Sequence, residues 1–186
     1  MTTSPAPPSI GPYFTIGHST RTVDEFVTLL KEAAVDVLVD VRTVPRSRTN
    51  PQFNADTLPD RLAQSGIGYR HLPRLGGLRG HRKGATPSPN GFWENASFRN
   101  YADYAMTEEF HAGLEELRSL HREHVCAIMC AEAVWWRCHR RIIADYLLSA
   151  GEPVLHILGP HHTAPASLTP GARQQADGTL VYPAEA

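Results

Sequence analysis

Cys130-Ala131-Glu132, followed within a few residues by Arg137-Cys138-His139-Arg140-Arg141, gathers two thiols, a carboxylate, an imidazole and several guanidiniums around one predicted strand end. A thiol becomes a nucleophile when a cation, a helix N-terminus or a neighbouring base favours its thiolate. Carboxylate and imidazole are the groups that move protons near neutral pH. Residues 125–130 form a short apolar run suited to a buried parallel strand, and polar sequence resumes at Glu132. From Arg137 to Leu148 the pattern predicts a helix with Ile142, Ile143, Tyr146 and Leu147 on one face. Cys138 and His139 then fall near its first turn, where unpaired backbone N–H groups and the helix dipole favour a thiolate or a bound anion. Cys126 reads as a small buried hydrophobe, the usual state of a free cysteine. For Cys130 burial and reactivity both stand. Cys130, Cys138 and His139 lack the paired spacing of a structural zinc site, so no metal is assigned to them.

Other clusters must be brought to these residues by the fold. Residues 13–16 are strand-like and end at Gly17-His18-Ser19, and Thr22 with Glu25 forms a capping box opening a helix whose apolar face is Val23, Phe26, Val27 and Leu30. Residues 37–41 predict a second strand that carries Asp40 and leads into Arg42 and Arg46. A helix over 56–64, a strand over 69–72, helices over 98–106 and 107–121, and a strand over 154–158 complete the alternation. Such alternation predicts a single three-layer α/β domain with a mostly parallel central sheet and helices on both faces. Right-handed crossovers bring the ends of the first, second and cysteine-bearing strands to one edge, where ligands of open α/β sheets bind. There His18 and Ser19, then Asp40, Arg42 and Arg46, then the 130–140 cluster would share a pocket. Each cluster also has a structural account as turn residue, loop cap or solvated charge.

The chain has 186 residues, enough for one domain with a proper core. The predicted organisation is a leader over 1–12, rich in Pro, Ser and Thr, the α/β domain over 13–158, and a mostly extended Pro/Gly/Ala-rich tail over 159–186, with residues 180–182 as an edge strand or packed end. Within the domain, residues 73–90 form a long basic loop too rich in glycine and proline for helix or core strand, expected to be mobile and, if folded over the strand ends, a lid. Three cysteines argue for a reducing compartment, which makes the cytoplasm the expected location. No run approaches the roughly 20 apolar residues of a membrane span. A formal net charge of −1 predicts no bulk attraction to nucleic acid or membranes, although local charge differs.

Five segments carry a resemblance: TIGHS at 15–19, LVDVRTVPRSRTNPQFN at 38–54, GIGYRHLPRLGG at 66–77, SFRNYADYA at 97–105, and CAE at 130–132 with CHR at 138–140. Together, over about Tyr13 to Leu158, they resemble the family defined as domain of unknown function 488. The resemblance implies a soluble α/β domain and supplies no reaction. It places the family's polar positions on His18, Ser19, Asp40, Arg42, Pro45, Arg46, Ser47, Asn50, Asn54, Glu132, Cys138, His139 and Arg140. One departure is Ala133-Val134-Trp135-Trp136-Arg137, where such proteins carry a short polar, proline-containing turn. Trp135 and Trp136 suggest a stacking wall for a ring-bearing ligand or an altered lid. A strand followed by Asp40-Val41-Arg42, and a strand ending in a cysteine before an arginine-containing turn, are also similar to rhodanese-type sulfurtransferases. In that fold a glycine-containing loop wraps an anion, whereas residues 131–136 contain no glycine, so that likeness is one of architecture.

The function expected first is therefore an enzyme acting on a small anionic or nucleotide-like ligand. Arg42, Arg46 and Arg140, with Ser19 and Asp40 beside them, would hold phosphate or carboxylate. Cys130 or Cys138 would be the nucleophile, His139 or His18 the base, and Glu132 the orienter or acid. A nucleic-acid-binding module is the alternative, on the basic stretch 70–83 and the aromatics Tyr69, Trp93, Trp135 and Trp136. A thiol-based redox or metal sensor built on Cys130, Cys138 and His139, or a rhodanese-like sulfurtransferase, is the third class. No cofactor is indicated by any motif.

Overall fold

The computed structural model of the chain describes residues 11–80 and 87–185. Five parallel strands and one antiparallel edge strand form its central sheet. β1 (Tyr13–Gly17) leads into α1 (Val23–Glu32), β2 (Val37–Asp40), α2 (Leu58–Ala63) and β3 (Gly68–His71). There follow α3 (Ala96–Tyr104), α4 (Glu108–His121), β4 (Cys126–Cys130), α5 (Arg140–Ser149), β5 (Val154–Gly159) and β6 (His162–Pro165). Short 3₁₀ turns lie at Pro51–Phe53, Pro73–Leu75 and Trp135–Arg137, and β7 (Arg173–Gln174) pairs with β8 (Leu180–Val181) in a separate hairpin.

The spatial order is β3-β2-β4-β1-β5-β6, so β4 is inserted between β2 and β1. Its register sets Gly17 beside Cys130 and Asp40 beside Met129. The strand ends that carry His18, Arg42 and Cys130 are thus immediate neighbours, as the crossover rule requires.

Alternation along β4 assigns its side chains to two cores. Cys126, Ile128 and Cys130 belong to the core under α3, α4 and α5, with Phe110, Leu114, Ile142, Ile143 and Leu147. Ala127 and Met129 belong to the opposite core, with Phe26 and Leu30 of α1 and Leu58 and Leu62 of α2. Helices therefore cover both faces, which gives the three layers expected. The α1 cap forms as the sequence requires: Thr22 Oγ1 accepts from the Glu25 amide at 3.1 Å.

Two segments differ from the sequence expectation. The 159–186 stretch supplies β6, which holds the sheet edge, and the β7–β8 hairpin. Tyr182 packs fully buried on α5, donating its hydroxyl hydrogen to Asp145 at 2.8 Å. Residues 180–182, expected as an edge strand or packed end, are β8 and the buried ring one residue beyond it. In the 73–90 segment, Leu75 is buried and the Leu78 amide bonds Thr43 Oγ1 at 2.9 Å, so its first third lies across the strand ends. Arg82 and Lys83, on which the expected mobility turned, lie outside the described residues.

Candidate active site

At the carboxyl edge of β1, β2 and β4 a cleft of about 360 Å³ opens between the 42–47 turn, the 77–78 segment, α3 and the turn before α5. Cys130, Cys138, His139, His18 and Glu132 all line it, together with Arg42 and Arg46. The five residues of the proposed catalytic set are therefore gathered in one place.

Cys130 ends β4 on the α5 side, and Cys138 sits just before α5. Their Sγ atoms are brought against each other across a Cα separation of 7.5 Å, with both side chains buried in the cleft floor. Three cysteines spaced as in this chain do not announce a pair, because only the register of β4 and the start of α5 bring the two together. Cys126 is buried, and burial pushes its thiol up to about 12, which fits the inert role read from the sequence.

Each sulfur has its own polar partner. Arg140 donates through Nε to Cys130 Sγ at 3.0 Å, and its backbone N–H reaches Cys138 Sγ at 3.4 Å. His139 presents Nδ1 to Cys138 Sγ at 3.5 Å while Nε2 contacts the Val41 carbonyl at 2.9 Å. A carbonyl only accepts, so Nε2 carries the hydrogen and Nδ1 is the lone pair facing the sulfur. Burial, against the pull of the Val41 and Leu75 carbonyls, lowers the imidazole to about 4 and keeps it neutral. Gly77 makes this placement sterically feasible: a Cβ there would lie 2.5 Å from His139 Nδ1.

Arg140 corrects an expectation. Its side chain is 1% exposed and does not line the cleft, so it cannot hold an external anion. Besides Cys130 it donates to Thr15 Oγ1 at 3.0 Å and to the Glu132 carbonyl at 2.6 Å. Among the described residues no carboxylate hydrogen-bonds it, and burial pushes it down to about 9 against the attraction of the Glu132 carboxylate. A buried cation without an anion is costly, and a thiolate at Cys130 would supply the missing charge. Thr15 in turn meets His156 Nδ1 at 2.6 Å. His156 Nε2 is buried and has no hydrogen-bond partner among the described residues. Burial lowers His156 to about 4 as well.

Thr15 and His156 were not singled out from the sequence, yet a signal exists. Each is the one polar interruption near the middle of an otherwise apolar strand, and the register places them side by side.

The remaining predicted residues are placed elsewhere. Asp40 is fully buried on the α1–α2 side, where Arg42 grips both its carboxylate oxygens, at 2.9 and 2.7 Å, and Tyr69 donates to it at 2.5 Å. Arg42 Nη2 also reaches the Phe53 carbonyl at 2.7 Å. Asp40 is thus a clamp for Arg42 rather than an anion ligand, which a carboxylate could be only through a cation. His18 stacks on Phe53, directs Nδ1 to the Ser19 carbonyl at 2.9 Å, and turns Nε2 toward Arg42 at 3.4 Å. Burial lowers the pKa of both imidazoles, but His18 Nε2 faces a guanidinium whereas His139 Nδ1 faces a cysteine sulfur, so His139 is the better-placed base. Ser19 binds β4's extension through its backbone and is absent from the cleft lining. Trp135 stacks on His156 with ring centroids 4.5 Å apart, and Trp136 is half exposed away from the cleft, so neither forms a wall for a ligand there. Trp93 is buried against Phe98. The aromatics on which base stacking depended are mostly occupied internally.

At the cleft rim, exposed Arg46 is joined by Arg137, a residue not assigned to anion binding from the sequence. Neither guanidinium has a hydrogen-bond partner among the described residues, whereas Arg42 and Arg140 are fully engaged. The Glu132 carboxylate is also exposed and unbonded among those residues, while its carbonyl takes Arg140. Among the described residues, no group of three or more His, Cys, Asp and Glu side chains is arranged to hold a metal ion, and no helix is long and apolar enough to cross a membrane.

Fold and cleft define an open α/β protein with a cysteine pair at a strand-end crevice. Residues 22–147 match the family model "Domain of unknown function DUF488", and the chain belongs to that family. No curated protein and no solved structure matches it.

Proposed function

We propose that the chain is a cysteine-dependent enzyme acting on a small anionic substrate bound in the strand-end cleft. The observation that carries this is the pair of sulfurs on the cleft floor, one held by a buried guanidinium that no carboxylate hydrogen-bonds among the described residues and the other beside the lone pair of a neutral imidazole. In the reduced protein Cys138 is the nucleophile, because the start of α5 and the Arg140 amide favour its thiolate and His139 Nδ1 can take its proton. Arg46 and Arg137 hold the anionic part of the substrate as guanidinium forks, and Val44, Leu78 and Phe98 give the mouth an apolar side. Glu132 borders the cleft where a leaving group would take a proton.

The test is alkylation of the reduced, folded protein with iodoacetamide across pH, resolved by peptide mass. Cys138 is expected to react fastest, with a midpoint below the free-thiol value of about 8.5, and inorganic phosphate or pyrophosphate is expected to protect it. Equal, slow labelling of all the cysteines would remove the reading.

A further inference from the structure

Building on that reading, the geometry points to thiol–disulfide exchange as the reaction, with an anionic low-molecular-weight disulfide as the substrate class. A cysteine nucleophile needs one thiol, and this cleft floor holds two in contact, each with a different partner. Had the pair been only a staple, neither a base nor a cation would be needed. Both cysteines, though buried, line the cleft in which a substrate would sit. A cross-link over a sequence separation of 8 would close a short loop, where a disulfide stabilises a fold least.

The partners divide the labour. Cys138 Sγ attacks one sulfur of the substrate as His139 Nδ1 takes the thiol proton. The substrate S–S bond breaks, its electron pair leaves on the first thiolate, and the proton passes from His139 to that leaving group. Cys130, held as thiolate by Arg140, then attacks Cys138 Sγ. A Cys130–Cys138 bond forms, the mixed disulfide breaks, and the second thiolate departs and takes a proton from water. The substrate gains two electrons and becomes two thiols, and the protein loses them, arriving at the internally bonded state. A small thiol reductant, of the monothiol or dithiol class, restores the dithiol by the reverse exchange. Arg46 and Arg137 select a substrate with negative charge beside its sulfur, since each presents an unengaged guanidinium at the rim.

The experiment presents the reduced chain with three disulfides of matched reactivity and different charge: glutathione disulfide (anionic), 2-hydroxyethyl disulfide (neutral) and cystamine (cationic). Thiol release and intact mass are followed in time. The expected result is conversion to the internally bonded protein, faster by roughly tenfold or more with the anionic probe than with the cationic one. Cys130→Ser should accumulate a mixed disulfide on Cys138, and the Arg46→Ala/Arg137→Ala double variant should lose the charge preference. If the wild-type protein shows slow exchange without charge preference while Cys138 still alkylates rapidly, exchange is overturned and the nucleophile reading survives. If Cys138 alkylates no faster than an ordinary thiol, both fall. The wild-type measurements decide the matter even where a cysteine variant folds poorly.

Discussion

Two arginines are buried at the same sheet edge, one on each face, and they are compensated in opposite ways. Arg42, on the α1–α2 side, is gripped by the Asp40 carboxylate and capped by the Phe53 carbonyl. Arg140, on the α3–α5 side, is held by a thiol, a hydroxyl and a carbonyl, all formally neutral. The first charge is cancelled, so its neighbours are held in place and little is left to react. The second is left over, and whatever lies against it gains by becoming negative. A buried guanidinium is therefore a clamp or an activator according to what faces it, not according to its own chemistry.

The contrast is broken most severely at the cancelled pair. Asp40→Asn leaves Arg42 buried without its counter-charge, and the unfolding free energy measured in urea should fall by about 3–5 kcal/mol, while the wild-type alkylation profile of the cysteines is retained in the folded fraction. A loss below about 1 kcal/mol would mean that the pair is compensated from elsewhere.

Acid tests both faces through their histidines. His139 and His156 on the thiol side have folded-state values of about 4 against 6.5 in the unfolded chain, and His18 on the other side is lowered too. Because the folded form holds them neutral, their contribution is full above pH 6.5 and is lost as pH falls toward 4. Thermal melts should show that decline, and His156→Gln should flatten it. An unchanged slope in that variant would show that the buried imidazole is not linked to folding.

The smallest effect on stability is expected at the uncancelled charge. Arg140→Met removes a cation that no carboxylate hydrogen-bonds, so stability should change by less than about 1 kcal/mol, but alkylation of the reduced thiols at neutral pH should slow by about tenfold or more. A large loss of stability without change in thiol reactivity would make Arg140 another clamp and erase the comparison.

Much of this was legible in the chain. Alternating apolar runs and amphipathic segments point to the parallel sheet and its layers, and the crossover rule to the shared edge of its strand ends, whereas the central insertion of β4 is visible only in the fold. Cys130, Cys138, His139, His18 and Glu132 do converge. What a sequence does not encode locally is the direction of a side chain at an irregular position. Arg140 stands at the first residue of α5, where a quarter turn separates solvent from core. Asp40 shows the opposite case: the period of two along β2 places it on the face away from Val39 and Val41, a distinction available beforehand and not drawn. Thr15 and His156 carried a similar signal, visible only once β1 and β5 are set side by side. The ring pair at 135–136 misled because an exposed-looking aromatic says nothing of whether its partner is a ligand or, as with Trp135, a histidine of the same chain.

The docking of residues 169–182 on α5 also bears on how the molecule is made. Asp145 receives the Thr169 amide from 24 residues later and the Tyr182 hydroxyl from 37 later. During synthesis from the N-terminus, the helix that begins beside Cys138 emerges with a bare carboxylate on its inner side and must wait for both partners. The sheet strands β1 to β5 can pair before then. The strand-end cleft, with no lining residue beyond His139, can thus form first, and what is completed late is the packing of the far side of α5, so a nascent chain arrested near residue 165 would carry the cleft on a helix not yet fixed in place.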